Sequence, residues 1–167
     1  MPRPQIDLQY MLDKTAIHEV LTRYYRGLDR GLPDQVRSCF TADVTAYYEG
    51  RPPLHGIETL VGSMNTFRRL ASGELLASTH FMGNLTIHML ENDVAETETY
   101  AIAFLVRPGK PTDPAEQIAM RSLRYLDRLR RVNGEWLISE RRHMLDWSTA
   151  ASATFAAVLA QRLMAWP

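Results

Sequence analysis

Along residues 15–30 the apolar positions Ile17, Val20, Leu21, Tyr24, Tyr25 and Leu28 recur at the i, i+3, i+4, i+7 spacing of one helix face. Asp13 or Thr15 is placed to cap this helix and Gly31-Leu32-Pro33 to end it, with the residues before Asp13 expected to be loosely held. A short second helix is expected over 33–40, a strand over 44–48, and a third helix over 57–70 with Ile57, Leu60, Val61, Met64 and Phe67 on one face. The period then changes to two. Residues 76–89 place Ser78, His80, Met82 and Asn84 on one face of a long strand and Phe81, Leu85, Ile87 and Met89 on the other, before a turn at Glu91-Asn92-Asp93. The returning strand, 94–106, sets Glu96, Glu98, Tyr100, Ile102 and Phe104 against a row of small residues, Ala95, Thr97, Thr99, Ala101 and Ala103. After a Pro-rich loop over 107–116, strands over 117–132 and 136–147 flank an Asn133-Gly134 turn. A closing helix over 152–166 carries Phe155, Val158, Leu159, Leu163 and Trp166. Three helices, a strongly bent antiparallel sheet and a final helix make an α+β domain. No repeat or linker divides the chain, so residues 1–167 are expected to form one domain with a core from 12 to 147.

Composition narrows the partners. Nineteen basic side chains balance nineteen acidic ones, so no diffuse positive field draws nucleic acid, and capture of a highly charged substrate by electrostatics is not expected. The one local basic excess, 121–131, alternates with Leu, Tyr and Asp. Cys39 is the single cysteine, which excludes an intrachain disulfide and fits a reduced, cytoplasmic protein. Apolar runs are far shorter than the roughly 20 residues of a membrane helix, and the first thirteen residues hold no signal-like apolar stretch.

No G-x-S-x-G elbow, phosphate loop, G-x-G-x-x-G or H-E-x-x-H occurs, and none of the five histidines forms a ligand pair at helix spacing. Neither a metal nor an organic cofactor is therefore expected. Asp29 lies near the C-terminal end of the first helix, where the helix dipole disfavours a carboxylate, and a pairing with Arg26 or Arg30 would be the plain explanation. His80, in mid-strand, points to whatever that face covers, and a hydrogen-bonded core histidine is its plain explanation. If the first helix crosses the concave sheet face, the two can meet. An Asp that accepts from one imidazole nitrogen leaves the other free as a general base. His80 and His88, eight residues apart on one face of an unbroken strand, are expected to lie about 26 Å apart.

The order of Arg26-Gly-Leu-Asp29-Arg-Gly31, Phe40-Thr-Ala-Asp43, Leu54-His-Gly56, Thr79-His80-Phe-Met-Gly83-Asn84 and Tyr125-Leu-Asp127-Arg with Asn133-Gly134-Glu-Trp136 resembles the SnoaL-like family of the nuclear transport factor 2-like superfamily. The most similar enzyme types are hexachlorocyclohexane dehydrochlorinase and scytalone dehydratase. The resemblance implies a cone-shaped α+β barrel around a pocket, with an Asp near the end of the first helix and a His in the long middle strand as a dyad. Asp29 and His80 match those positions, and Tyr48 falls where dehydratase-like enzymes present a pocket tyrosine. Tyr24 stands where the dehydrochlorinase type has a lysine. Its pocket arginine corresponds to Ser122, with Arg124 two residues on.

These matches imply a lyase or isomerase, dehydratase-like, acting without cofactor on a small apolar cyclic or polyketide-like substrate. Asp29 and His80 would be catalytic, and Tyr24, Tyr25, Tyr48, Ser78, Met82, Ala101, Ala103, Arg124 and Leu126 would form the pocket. Asp127 is expected to partner Arg141 or Arg142 away from the pocket side, Trp136 and Trp147 to fill core or subunit contacts, and Cys39 to be a buried small hydrophobe inside the second helix. The alternative is a non-catalytic ligand-binding or assembly module of the same fold, such as a dioxygenase small-subunit-like scaffold. The apolar final helix and the outward Tyr100, Ile102 and Phe104 point to a homodimer or homotrimer.

Overall fold

A computed structural model describes residues 7–112 and 115–153, with the side chains of 152 and 153 left aside. Helix α1 (Leu8–Arg30) is longer than its apolar stripe. The Asp7 side chain accepts from the Tyr10 amide at 2.8 Å and caps it, so the cap is neither Asp13 nor Thr15. Asp13 is instead buried, accepting from Arg131 Nη2 at 2.6 Å, Trp136 Nε1 at 3.1 Å and Gln9 Nε2 at 3.1 Å. Those bonds tie the N-terminal half of α1 to the sheet, and within the segment expected to be loose residues 8–12 are helical. At the other end Gly31 takes the left-handed conformation, φ 67°, that closes a helix at little cost to glycine.

Helix α2 (Pro33–Arg37) begins on its proline and stops before Cys39, which is buried beyond its end. Gly27 makes the close approach of α1 to α2 possible, because a Cβ there would lie 2.7 Å from Val36 Cγ2 and 3.1 Å from its backbone nitrogen. Strand β1 (Phe40–Tyr48) starts four residues earlier than its pattern indicates, and β2 (Leu54–His55) pairs with it briefly. The expected third helix is broken into α3 (Ile57–Ser63) and α4 (Asn65–Ala71) by an extended Met64, ψ 91°. Gly62 and Ser63 precede the break, and the Ser63 hydroxyl donates to the Leu60 carbonyl at 2.7 Å, an alternative to continuing the helix.

The sheet is built from β3 (Ala77–Glu91), β4 (Val94–Arg107), β5 (Glu116–Val132) and β6 (Glu135–Ala153), with order β2-β1-β6-β5-β4-β3. It is a curved six-stranded sheet and not a closed barrel. Nor is it purely antiparallel, since β1 joins β6 in parallel. Asn133 and Gly134, both at positive φ, make the tight β5–β6 turn, and Asn92 and Asp93 do the same between β3 and β4. Bulges bend the strands, between Met82 and Leu85 and between Ile87 and Met89 in β3, and at Asp146 in β6, opposite Ser122 and Leu123. Each β3 bulge changes which residues face inward, so Met82, Leu85, Ile87 and Leu90 all pack on the core. His88 consequently faces out, 3.4 Å from Glu98, and does not share a face with His80. The stripe of α1 joins the core in which Ala95, Ala101 and Ala103 of the small-residue row of β4 are buried. The closing helix lies outside the described residues except for Ser152 and Ala153, which belong to β6. Among the described residues no helix is long and apolar enough to cross a membrane.

Candidate active site

Strand β3 brings three donors to the carboxylate at the end of α1. The Ser78 hydroxyl donates to Asp29 Oδ1 at 2.9 Å, the His80 amide to Oδ2 at 2.8 Å, and His80 Nδ1 lies 2.6 Å from Oδ1. Together they offset the unfavourable helix dipole at this position. Burial alone would raise the Asp29 pKa, but the hydrogen bonds from His80 and Ser78 and the attraction of the imidazole outweigh it and hold the carboxyl below its ordinary range. An ionised Asp29 only accepts, so Nδ1 donates to it, and among the described residues Nε2 has no hydrogen-bond partner. The pair is sheltered, with side-chain exposures of 8% for His80 and 15% for Asp29. Tyr25, one turn before Asp29, stacks on the imidazole with ring centres 5.5 Å apart and fixes its plane.

His80 opens onto a cavity of about 570 Å³. Its opposite wall is the row Tyr48, His143 and Tyr125, which lie side by side on β1, β6 and β5. The His143 ring is 5.2 Å from Tyr48 and 5.1 Å from Tyr125. Burial, and then the nearby Arg141 charge, push His143 down to about 4, so this imidazole is neutral near neutral pH. Burial raises the Tyr48 and Tyr125 phenols, keeping both as hydroxyl donors. Beneath the wall, Arg141 donates to both Asp127 oxygens at 2.7 and 2.6 Å, and both side chains are fully buried. The same guanidinium lies 4.0 Å from the Tyr24 ring centre and 4.6 Å from that of Tyr125. The floor is set by pairing register: His80 lies opposite Ala103, and Ala103 opposite Arg121, so the three share one rung on the inner face with the small residue between. Among the described residues no three His, Cys, Asp or Glu side chains converge where a metal ion could be held.

The family model described as the SnoaL-like domain matches residues 9–142. The chain belongs to the SnoaL-like domain family. Structural comparison agrees. A candidate scytalone dehydratase from Novosphingobium aromaticivorans superposes with a TM-score of 0.71 at 17% identity, covering 83% of this chain and 87% of that one. A type 2 hexachlorocyclohexane dehydrochlorinase (LinA) gives 0.71 at 16% identity over 88% and 94%. A candidate aromatic ring hydroxylase from Novosphingobium aromaticivorans gives 0.70 at 18% over 89% and 96%. No curated protein sequence matches the chain. At these identities the likeness establishes the cone-type fold of the superfamily.

Within this SnoaL-like frame the expected site residues divide. Asp29, His80, Tyr24, Tyr48 and Ala103 converge at the cavity or directly behind it. Tyr25, Ser78, Met82 and Ala101 form a supporting layer, not the wall: Ser78 is fully buried on Asp29, Met82 packs on the core, and Ala101 is buried in it. Arg124 and Leu126 are on the wrong face. Arg124 binds Asp146 through Nε at 2.9 Å and Nη2 at 2.7 Å, and lies over the outward Tyr100 ring. Leu123, Tyr125 and Asp127 take the inner face of β5 instead. Asp127 can point inward because Arg141 neutralises it there, and that ion pair sets the strand's parity. The cavity thus contains residues the pattern did not select: His143, Arg121 and Tyr125. The signal for them was the Asp127–Arg141 pairing itself, since two buried partners on adjacent strands require residues 121, 123 and 125 to face the same way.

Proposed function

We propose that this protein is a cofactor-independent lyase or isomerase of dehydratase type, acting on a small cyclic or polyketide-like substrate. The observation that carries this reading is the 2.6 Å contact between His80 Nδ1 and Asp29 Oδ1 beside a cavity of about 570 Å³. In the proposed reaction, His80 Nε2 takes a proton from a carbon next to a carbonyl, and the electron pair moves to the carbonyl oxygen. A hydroxyl donor, with Tyr48 the best placed by the resemblance, supports that oxygen as charge develops. Asp29 orients the ring and stabilises the imidazolium. Collapse of the enolate expels the β-hydroxyl, which takes the proton back from His80 and departs as water, leaving a carbon–carbon double bond. Return of the proton to a different carbon would give isomerisation. Tyr24, Tyr125 and Leu123 supply apolar surface that limits water around the reacting centre.

The test uses bicyclic β-hydroxyketones as probes, following water loss by absorbance and α-proton exchange in D2O by NMR. His80→Ala is expected to lower kcat/KM at least a hundredfold and Asp29→Asn at least tenfold. Equal rates in wild type and both variants would remove the dyad. The rival reading, a ligand-binding or assembly module, draws on the exposed apolar residues of the outer face, Phe81 at 63% and Trp147 at 49% exposure. It predicts probe binding with no exchange in any form of the protein.

A further inference from the structure

The cavity wall holds three guanidinium groups, Arg51, Arg69 and Arg121, against a single carboxylate, Glu49. Arg121 is the one placed to meet substrate, on the same rung as His80 and two strands away, about 10 Å between backbones. Among the described residues it has no carboxylate within ion-pairing distance, whereas Arg124, Arg128, Arg131 and Arg141 on the same two-strand ladder are all paired. Outside the described residues the sequence has one acidic side chain, Asp113. Burial, followed by the charges of Arg107 and Arg69, pulls the Arg121 pKa down. Holding in a half-buried wall a guanidinium that has no carboxylate partner among the described residues costs free energy, and a bound anion would recover it. The neutral charge of the whole chain conceals this local excess.

We infer that Arg121 is a carboxylate-binding residue and that the substrate carries a carboxylate about one ring system away from the carbon that His80 deprotonates. This rests on the lyase reading of the cavity and names the substrate class for it. Ala103, between the two side chains, leaves the floor open for a flat ring to lie across β4. The planar fork of Arg121 fits a carboxylate through two parallel hydrogen bonds, which a lysine could not reproduce.

The probe is 2-naphthoate, with 2-naphthamide as its uncharged isostere, titrated against the whole chain by calorimetry at low and moderate salt. Wild type is expected to prefer the carboxylate at least tenfold, with the preference shrinking as salt rises. Arg121→Gln should abolish the preference while leaving naphthamide affinity within about twofold, and Arg121→Lys should retain part of it. Equal affinity for acid and amide in wild type overturns the proposal, and so does an unchanged preference in a folded Arg121→Gln. Should that variant fail to fold, the wild-type comparison and Arg121→Lys still decide. The titration involves no turnover, so a protein that dehydrates neutral ketones yet ignores the carboxylate refutes this inference alone. One that selects the carboxylate but exchanges no proton refutes the lyase reading alone.

Discussion

Burial and the Arg141 charge keep the His143 ring neutral down to about pH 4, whereas in an unfolded chain it would protonate near 6.5. Between those values the unfolded state binds the extra proton, so stability should fall as pH drops from about 6.5 to 4. The full shift corresponds to about 3 kcal/mol, lessened by the ring's partial exposure. Asp29 has a lowered carboxyl pKa, so its contribution persists above the ordinary Asp range and is lost only in stronger acid. Denaturant midpoints measured across pH 4–7 should show the first loss in wild type and a flatter profile in His143→Phe. An identical slope in both would assign the acid sensitivity elsewhere. The Asp29–His80 positions were legible in the sequence, because a carboxylate at a helix C-terminus needs a reason to be there. His143 and Arg121 were not, since a histidine and an arginine in a strand carry no signal until the strand's parity is known.

Elements were legible where local chemistry decides them: the α1 stripe, the Asn133-Gly134 turn and the four long strands all lie close to their expected places. What failed was face assignment over distance. One bulge in β3 separates His80 from His88, which itself sits in the next, and a buried Asp127 reverses the inner face of β5, both tertiary effects that a period of two cannot reveal. The same ion pair gives an element-scale prediction. Asp127→Ala should cost about 3–5 kcal/mol in urea unfolding by leaving Arg141 charged and alone beneath the tyrosines, while Asp127→Leu with Arg141→Met should recover much of it. No loss in Asp127→Ala would mean that Arg141 finds water or another partner. At the α1–α2 contact, Gly27→Ala gains helix propensity yet forces a methyl onto Val36, which is fully buried, for an expected net loss of about 1–2 kcal/mol. A gain in melting temperature would show that α2 can retreat freely.

At the scale of the molecule, one open curved sheet does two jobs. Its inner face carries His80, in contact with Asp29 of α1, and lines the cavity, and its outer face exposes Phe81, Tyr100, Ile102 and Trp147. An apolar outer face of this kind suits symmetric self-association, so light scattering should find a dimer or trimer that Phe81→Glu with Trp147→Glu shifts towards monomer. A wild-type monomer would leave that surface to another partner. The central claim concerns the inner face, and its most direct measurement is the rate of α-proton exchange on a bicyclic β-hydroxyketone in D2O, compared between wild type and His80→Ala under single-turnover conditions. Exchange catalysed by wild type and reduced at least a hundredfold in a folded His80→Ala is the predicted result. Equal exchange in the two proteins would contradict proton abstraction by His80.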